Sequence, residues 1–182
     1  GIPGTLGGAL RMNAGAMGWE TFDLVDWVSF LLPDGSIREI PGPDLEVGYR
    51  YCREAYDGIA LRAKLKSEGR SDHRAIRKVI DKLASQRRAT QPRESSAGCI
   101  FRNPDDESAG LLIDQAGLKG EREGAAVVSD LHANFIINEG GASAEEVISL
   151  IKRVRDRVKE SKGMMLDPEV DILGHSWKEF LS

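Results

Sequence analysis

Apolar positions recur at helical spacing in two long stretches. From Ser143 to Ser161, Val147, Ile151, Val154 and Val158 fall on one stripe. Ser143 and Glu146 stand before it at capping-box spacing and Gly163 follows it, so the pattern predicts an amphipathic helix with both ends marked. Between residues 72 and 88, Ile76, Val79, Ile80 and Leu83 make a second stripe, with Asp72 available as a cap. Period-two patterns predict strands. "LVDWVSFLL", the turn "PDG" and "SIREI" form a hairpin within residues 21–40. In "GIALRAKLK", Gly58 to Lys66, the residues Ile59, Leu61, Ala63 and Leu65 alternate, which predicts a half-buried strand with those side chains inward. "SAGLLIDQAG" reads as a short helix ended by Gly117, and "AAVV" and "NFIIN" read as strands. "ATQPRESSAG" interrupts every period. Strands come first, then helices and strands interleave. That order predicts an α+β protein of two lobes meeting near residue 88.

Composition narrows the class. The 182 residues carry 25 Lys and Arg against 29 Asp and Glu, a net charge of −4. This balance excludes a general nucleic-acid binder. Two cysteines, Cys52 and Cys99, make no disulfide framework and fit a reducing compartment. No apolar run approaches the roughly 18 residues of a membrane span, so the expected location is cytoplasmic, with no membrane partner. The chain opens on "GIPGTLGGAL", a poor place for a natural start, and material upstream is expected.

Several residues have the chemistry for a site. Residues 1–18 hold six glycines, whose backbone can approach a ligand closely or form an anion-binding nest. The spacing is neither a P-loop nor the dinucleotide signature, and a tight-turn connector is the alternative. Cys99 lies in "SSAGCIFRNP", among polar and turn-forming residues; it is either core filler or a nucleophile, proton donor or ligand. No second cysteine or His pair stands at metal-ligand spacing, so no metal is expected. A Cys-His hydrolase would pair Cys99 with His73, His132 or His175. Arg50, between two tyrosines in "YRYC", suits an anion or a strand surface. Glu169 in "LDPEVDILG" is a candidate acid or a solvated one. Arg87 and Arg88, with Lys78 and Lys82 behind them, are a phosphate patch or the wet face of a helix. His132 and Asn134 in "DLHANFIIN" stand where polar side chains usually satisfy backbone groups.

The order of these blocks carries more than any one of them. "GIPGTLGGALRMNAGAMG", "YRYC", "QPRESSAGCIFRNP", "AGLLIDQAGLKG", "VSDLHANFIINEGGASAEEVISLIKRV" and "LDPEVDILG" together resemble the UDP-N-acetylenolpyruvoylglucosamine reductase (MurB) family of flavoenzymes. The resemblance runs from Gly1 to about Gly174, in the shorter class that lacks an extra substrate-covering loop. It implies an α+β fold: the later part of an FAD-binding lobe of the vanillyl-alcohol-oxidase/MurB type, plus an α+β substrate-binding lobe. The boundaries it implies are 1–85 for the flavin part, 86–166 for the substrate part, and 167–182 for a tail returning toward the flavin lobe. The family's first flavin lobe is expected to be missing, and the chain alone is expected to bind FAD weakly or not at all.

The resemblance also implies roles. NADPH reduces FAD, and hydride then passes to the enolpyruvyl group of UDP-N-acetylglucosamine enolpyruvate, giving UDP-N-acetylmuramate for peptidoglycan synthesis. Cys99 stands at the proton donor's position, where most members have serine. Arg50 and Glu169 match the pair that stabilises the enolate-like intermediate. Gly1, Ile2, Pro3, Gly4, Thr5, Gly7, Gly8, Asn13, Ala14 and Gly15 match the flavin-binding segment, and Arg88, Gln91 and Asn103 match substrate contacts. Gln91 stands where some members have lysine, Asp171 where an arginine is common, and Met17 where a tyrosine is usual. A complete protein would be a monomer. The alternatives are another flavin oxidoreductase of the same fold and an inactive nucleotide-sugar-binding piece.

Overall fold

The computed structural model describes residues 4–67, 69–70, 72–105 and 107–181. The chain divides into two compact units, Gly1–Leu83 and Ala84–Ser182, so the division falls a few residues before the lobe boundary read from the sequence.

The first unit opens with helix α1, Leu6–Arg11, followed by the small hairpin β1 (Gly15–Ala16) and β2 (Trp19–Glu20). The glycine-rich opening is therefore not a continuous loop. Thr5 Oγ1 accepts from the Gly8 amide at 3.1 Å, and that N-cap starts a helix in spite of the glycines. The predicted hairpin is present as β3 (Val25–Leu31) and β4 (Ile37–Pro41). Next come β5 (Val47–Gly48), β6 (Tyr51–Cys52), helix α2 (Arg53–Asp57) and β7 (Ile59–Leu65). β3 is central in an antiparallel sheet of order β4-β3-β7. Val28 and Phe30 point from it into a core with Leu10, Val25, Leu45, Cys52 and Ala55.

β7 is a strand, as its alternation predicts, but the inward face differs. Ile59 is 62% exposed and Leu61 and Leu65 are exposed too, while Ala60 and Ala63 pack on the core. The cause is a register shift: Ser29 pairs with Arg62 and Phe30 with Ala60, so Leu61 is an extra residue. One inserted residue exchanges the two faces of a strand.

Helix α3, His73–Thr90, follows. Asp72 Oδ2 accepts from the Arg74 amide at 3.1 Å, the expected capping role. Its apolar stripe is not buried: Ile76, Val79 and Ile80 are exposed, and none of the helix's residues is buried.

The second unit is a four-stranded antiparallel sheet of order β8-β11-β10-β9. Its strands are β8 (Ser96–Cys99), β9 (Arg122–Glu123), β10 (Ala126–Val128) and β11 (Phe135–Asn138). Helices α4 (Ala109–Gln115) and α5 (Ala144–Lys162) pack together, and α5 also lies on β9 and β10. Leu150, Ile151, Val154 and Val158 of α5 fill a core with Ile100, Phe101, Ile113, Leu118 and Leu166. The capping box of α5 is formed: Ser143 Oγ accepts from Glu146 N and the Glu146 carboxylate accepts from Ser143 N. Gly163 ends the helix at φ 69°, a left-handed cap that glycine adopts without strain. Arg153 ties α5 to β9 through Glu121, Glu123 and the Arg122 carbonyl. The last helix is α6, Trp177–Phe180. Trp177 donates through Nε1 to the Val170 carbonyl at 2.6 Å, and both residues pack against the second unit's core. Among the described residues no helix is long and apolar enough to cross a membrane.

Candidate functional site

The residues that could do chemistry fall into one group in each unit. In the first, Gly1, Ile2 and Pro3 lie outside the described residues. Gly4 has φ +146°, a conformation for which glycine is needed, and Gly7 and Gly8 are exposed on α1. A Cβ added at Gly4 or Gly7 would meet no atom within 4 Å, so the backbone is open to close approach there. Three nearby amides are already committed: Gly8 N to Thr5 Oγ1, Asn13 N to the Leu10 carbonyl, and Ala14 N to the Ala9 carbonyl. Gly15 sits in β1 opposite Glu20. The Asn13 side chain is buried and is spent inside the protein. Its Nδ2 donates to Glu20 Oε2 at 2.7 Å and to the Gly48 carbonyl at 3.2 Å, and its Oδ1 accepts from Phe22 N at 3.2 Å.

Arg50 occupies the two-residue turn Tyr49–Arg50 between β5 and β6, where Gly48 pairs with Tyr51 and Val47 with Cys52. Its φ is +54°, left-handed backbone that costs a non-glycine residue about 1–3 kcal/mol and collects at functional sites. The guanidinium lies 4.7 Å from the centroid of the Tyr49 ring. Cys52 next to this turn is fully buried, and burial pushes its thiol above the usual range, so it is core filler rather than a reactive group.

In the second unit Cys99 ends β8 opposite Phe135, half-buried, directly after Gly98 at φ +87°. The backbone then runs beside the tail. Phe101 bridges to Pro168, Arg102 N donates to the Asp167 carbonyl at 2.9 Å, and Glu169 N donates to the Ile100 carbonyl at 2.7 Å. Glu169 is thus bonded to Ile100, the residue that follows Cys99, although 69 positions separate the two in sequence. The tail 167–170 makes these bonds within the second unit, a placement that the sequence did not reveal.

Asn134 fixes the other side of this backbone. Its Oδ1 accepts from Phe101 N at 2.9 Å and its Nδ2 donates to the Phe101 carbonyl at 2.8 Å. The amide carries the pairing just past the Cys99–Phe135 pair where β8 ends and β11 begins, doing for one residue what a paired strand would do. His132 supports the same turn. Its Nδ1 accepts from Asn134 N at 3.2 Å, and its ring meets Phe135 edge-on at 4.9 Å. Both residues satisfy backbone or turn groups, as expected from sequence. Desolvation lowers the His132 pKa. The folded state therefore resists a proton that the unfolded chain accepts near its ordinary value of about 6.5. Stability is full above that value and falls as pH drops below it. Urea midpoints measured at pH 7.5 and 5.5 should show this loss, and His132→Gln should make the two midpoints converge.

A cleft of about 450 Å³ opens beside Ile137 of β11, lined also by Arg88, Gln91, Arg93, Glu94 and Asp130 among others. Ile137 pairs with Ser96, so Cys99 lies three residues, roughly 10 Å, along β8 from the cleft wall. Gln91 Oε1 accepts from Arg87 Nε at 2.8 Å, which fixes the amide at the cleft edge. Asn103 has its Oδ1 accepting from Ala109 N at 3.0 Å, which caps α4, while Ser108, at the N-cap position, makes no side-chain capping bond. Ser129, Asp130 and Arg93 were not singled out by sequence. The only sign of Ser129 and Asp130 was the polar break between two apolar strands, and of Arg93 the stretch that interrupts the periods before β8.

Comparison with known proteins follows the same division. Residues 91–173 match the family "UDP-N-acetylenolpyruvoylglucosamine reductase, C-terminal domain". The reductase of that name from Alkalilimnicola ehrlichii is 47% identical over 177 residues, 97% of this chain and 59% of the relative. The one from Alkaliphilus oremlandii is 43% identical over 96% of this chain and 58% of its own length. The crystal structure of UDP-N-acetylenolpyruvylglucosamine reductase (MurB) from Thermus caldophilus superposes with a TM-score of 0.80 at 38% identity, covering 94% of this chain and 61% of the other. The chain thus spans about three-fifths of the length of the relatives it matches.

Proposed function

The chain belongs to the UDP-N-acetylenolpyruvoylglucosamine reductase family through its residues 91–173, and on that premise we propose that it handles substrate in the NADPH-dependent, FAD-mediated reduction of UDP-N-acetylglucosamine enolpyruvate to UDP-N-acetylmuramate, a cytoplasmic step of peptidoglycan precursor synthesis. The observation that supports the proposal is the pairing of the tail with the backbone after Cys99, where Glu169 N bonds the carbonyl of Ile100, the next residue along.

The first unit's residues fit a flavin. Gly4 and Gly7 leave the space a flat group needs to reach backbone. Gly4, Thr5, Gly7 and Gly8 would hold it. FAD, when bound, supplies hydride derived from NADPH to the enolpyruvyl methylene carbon. The neighbouring carbon, next to the substrate carboxylate, then bears negative charge. Arg50 offsets that charge from its fixed turn, and a hydrogen-bonding group at Glu169 holds the enolate form. Cys99 Sγ–H donates its proton to that carbon, and the thiolate regains one from water. The cleft beside β8, with Arg88 and Arg93, takes the nucleotide-sugar end.

The test is anaerobic. Flavin absorbance is followed in the chain joined to the N-terminal part of the Thermus caldophilus enzyme, and in the chain alone. Bleaching by NADPH, and recovery only after the enolpyruvyl substrate is added, is expected for the joined protein, with weak FAD retention by the chain alone. A joined protein that bleaches but never recovers would refute the substrate. Because the cleft lies wholly within the second unit, nucleotide-sugar binding without turnover is the second reading, and isothermal titration with that substrate separates the two.

A further inference from the structure

We propose that Arg11 and Asn13 are positioning residues that hold Arg50 in its left-handed conformation, an inference that rests on the reading of Arg50 above. An arginine at φ +54° reverts to commoner backbone unless its surroundings dictate otherwise. The turn Tyr49–Arg50 is gripped on both sides by one short segment of the chain. On the entering side, Asn13 Nδ2 bonds the Gly48 carbonyl at 3.2 Å, and Asn13 is itself held by Glu20 at 2.7 Å and by Phe22 N at 3.2 Å. On the leaving side, the Tyr51 ring lies 5.5 Å from the Tyr56 ring. The Arg11 guanidinium sits 3.8 Å from the Tyr56 centroid, and its Nη1 donates to the Ala55 carbonyl at 2.9 Å. Tyr56 Oη also reaches Met12 Sδ at 3.8 Å.

Residues 11–13 therefore fix both strands that flank Arg50. They directly continue α1, whose exposed glycines are the proposed flavin-holding segment. The two functions share one piece of backbone, so a displacement of the glycine-rich segment is carried to the arginine by a cation–π contact and an amide. The sequence gives little sign of this. Arg11 reads as an ordinary arginine at the end of a helix, and Tyr56 as one more aromatic.

The decisive measurement is on the chain itself. A left-handed residue has a short amide-to-Hα distance and a strong intraresidue NOE. In Arg11→Met the NOE of Arg50 should fall to the level of ordinary turn residues, with the amides of Ile100 and Phe101 in the second unit unmoved. Arg11→Lys, which keeps a cation over Tyr56, should restore it. In the joined reductase Arg11→Met should lower kcat about tenfold to a hundredfold at unchanged KM for NADPH, and Arg11→Lys should recover most of it. An unchanged Arg50 NOE in Arg11→Met sinks the clamp. A changed NOE with wild-type kcat sinks the catalytic reading of Arg50 and with it the positioning role.

Discussion

In the joined reductase proposed above, Cys99→Ala is expected to slow the reoxidation of reduced flavin by substrate by about 10²- to 10⁴-fold, the range for loss of a placed general acid, and to leave flavin reduction by NADPH unchanged. The asymmetry follows from the chemistry. The first half-reaction moves hydride between cofactors and needs no acid at the substrate. The second leaves charge on carbon and must be completed by a proton. Cys99 is suited to that task. It is half-buried at the end of a paired strand, follows a glycine at φ +87°, and carries a short side chain with few rotamers. A thiol yields its proton more readily than a hydroxyl. Cys99→Ser, which keeps a short side chain with a proton to give, should keep much of the rate. Anaerobic stopped-flow absorbance, with NADPH and then substrate, reads the two steps separately. Equal slowing of both would mean that the substitution disturbs the fold, and no slowing of the second would remove Cys99 from the reaction.

Asn134→Ala costs about 2–5 kcal/mol of stability, because it strips both backbone partners of Phe101 at once. Each buried group left unsatisfied costs about 1–3 kcal/mol. Phe101 is 1% exposed and Asn134 is 2% exposed, so water cannot replace the amide without opening the core. Asn134→Asp should fail as well, since it keeps an acceptor for Phe101 N but turns a second oxygen toward the Phe101 carbonyl. Trp177 packs against the same core and reports on it once Trp19 and Trp27 are replaced by Phe. A urea midpoint within error of the parent in Asn134→Ala would show that the two bonds contribute nothing net.

Much of the fold is legible in the sequence where local rules act alone. α5 is written by Ser143, Glu146, the Val and Ile stripe and Gly163, and every one of them performs its local task. The β3–β4 hairpin and the strands β10 and β11 are equally explicit, because alternation and turn residues agree. Errors arise where a partner decides. β7 changes its inward face partway along, from Ala60 to Ala63, because its pairing with β3 is bulged, and no pattern within "GIALRAKLK" encodes that. The stripe of α3 is correctly periodic, yet periodicity says only that a face could be buried. For the site, the individual residues were visible as chemistry, and the resemblance assigned their roles. What sequence could not supply was which of them are neighbours. The bond from Glu169 to Ile100 joins distant segments, and Asn103, a plausible substrate contact by its motif, has its side-chain oxygen turned to the start of α4.

α3 has a practical consequence. None of its 18 residues is buried, and Val79 is 57% exposed, so its amides are guarded by little besides bonds within the helix itself. Such an element opens locally at low cost and exchanges its amide hydrogens early. It also carries Arg77, Lys78, Lys82, Arg87 and Arg88, a row of tryptic sites on a backbone that unwinds easily. The two apolar cores draw on residues wholly before and wholly after this helix. A brief digestion would therefore sever the chain without cutting either core.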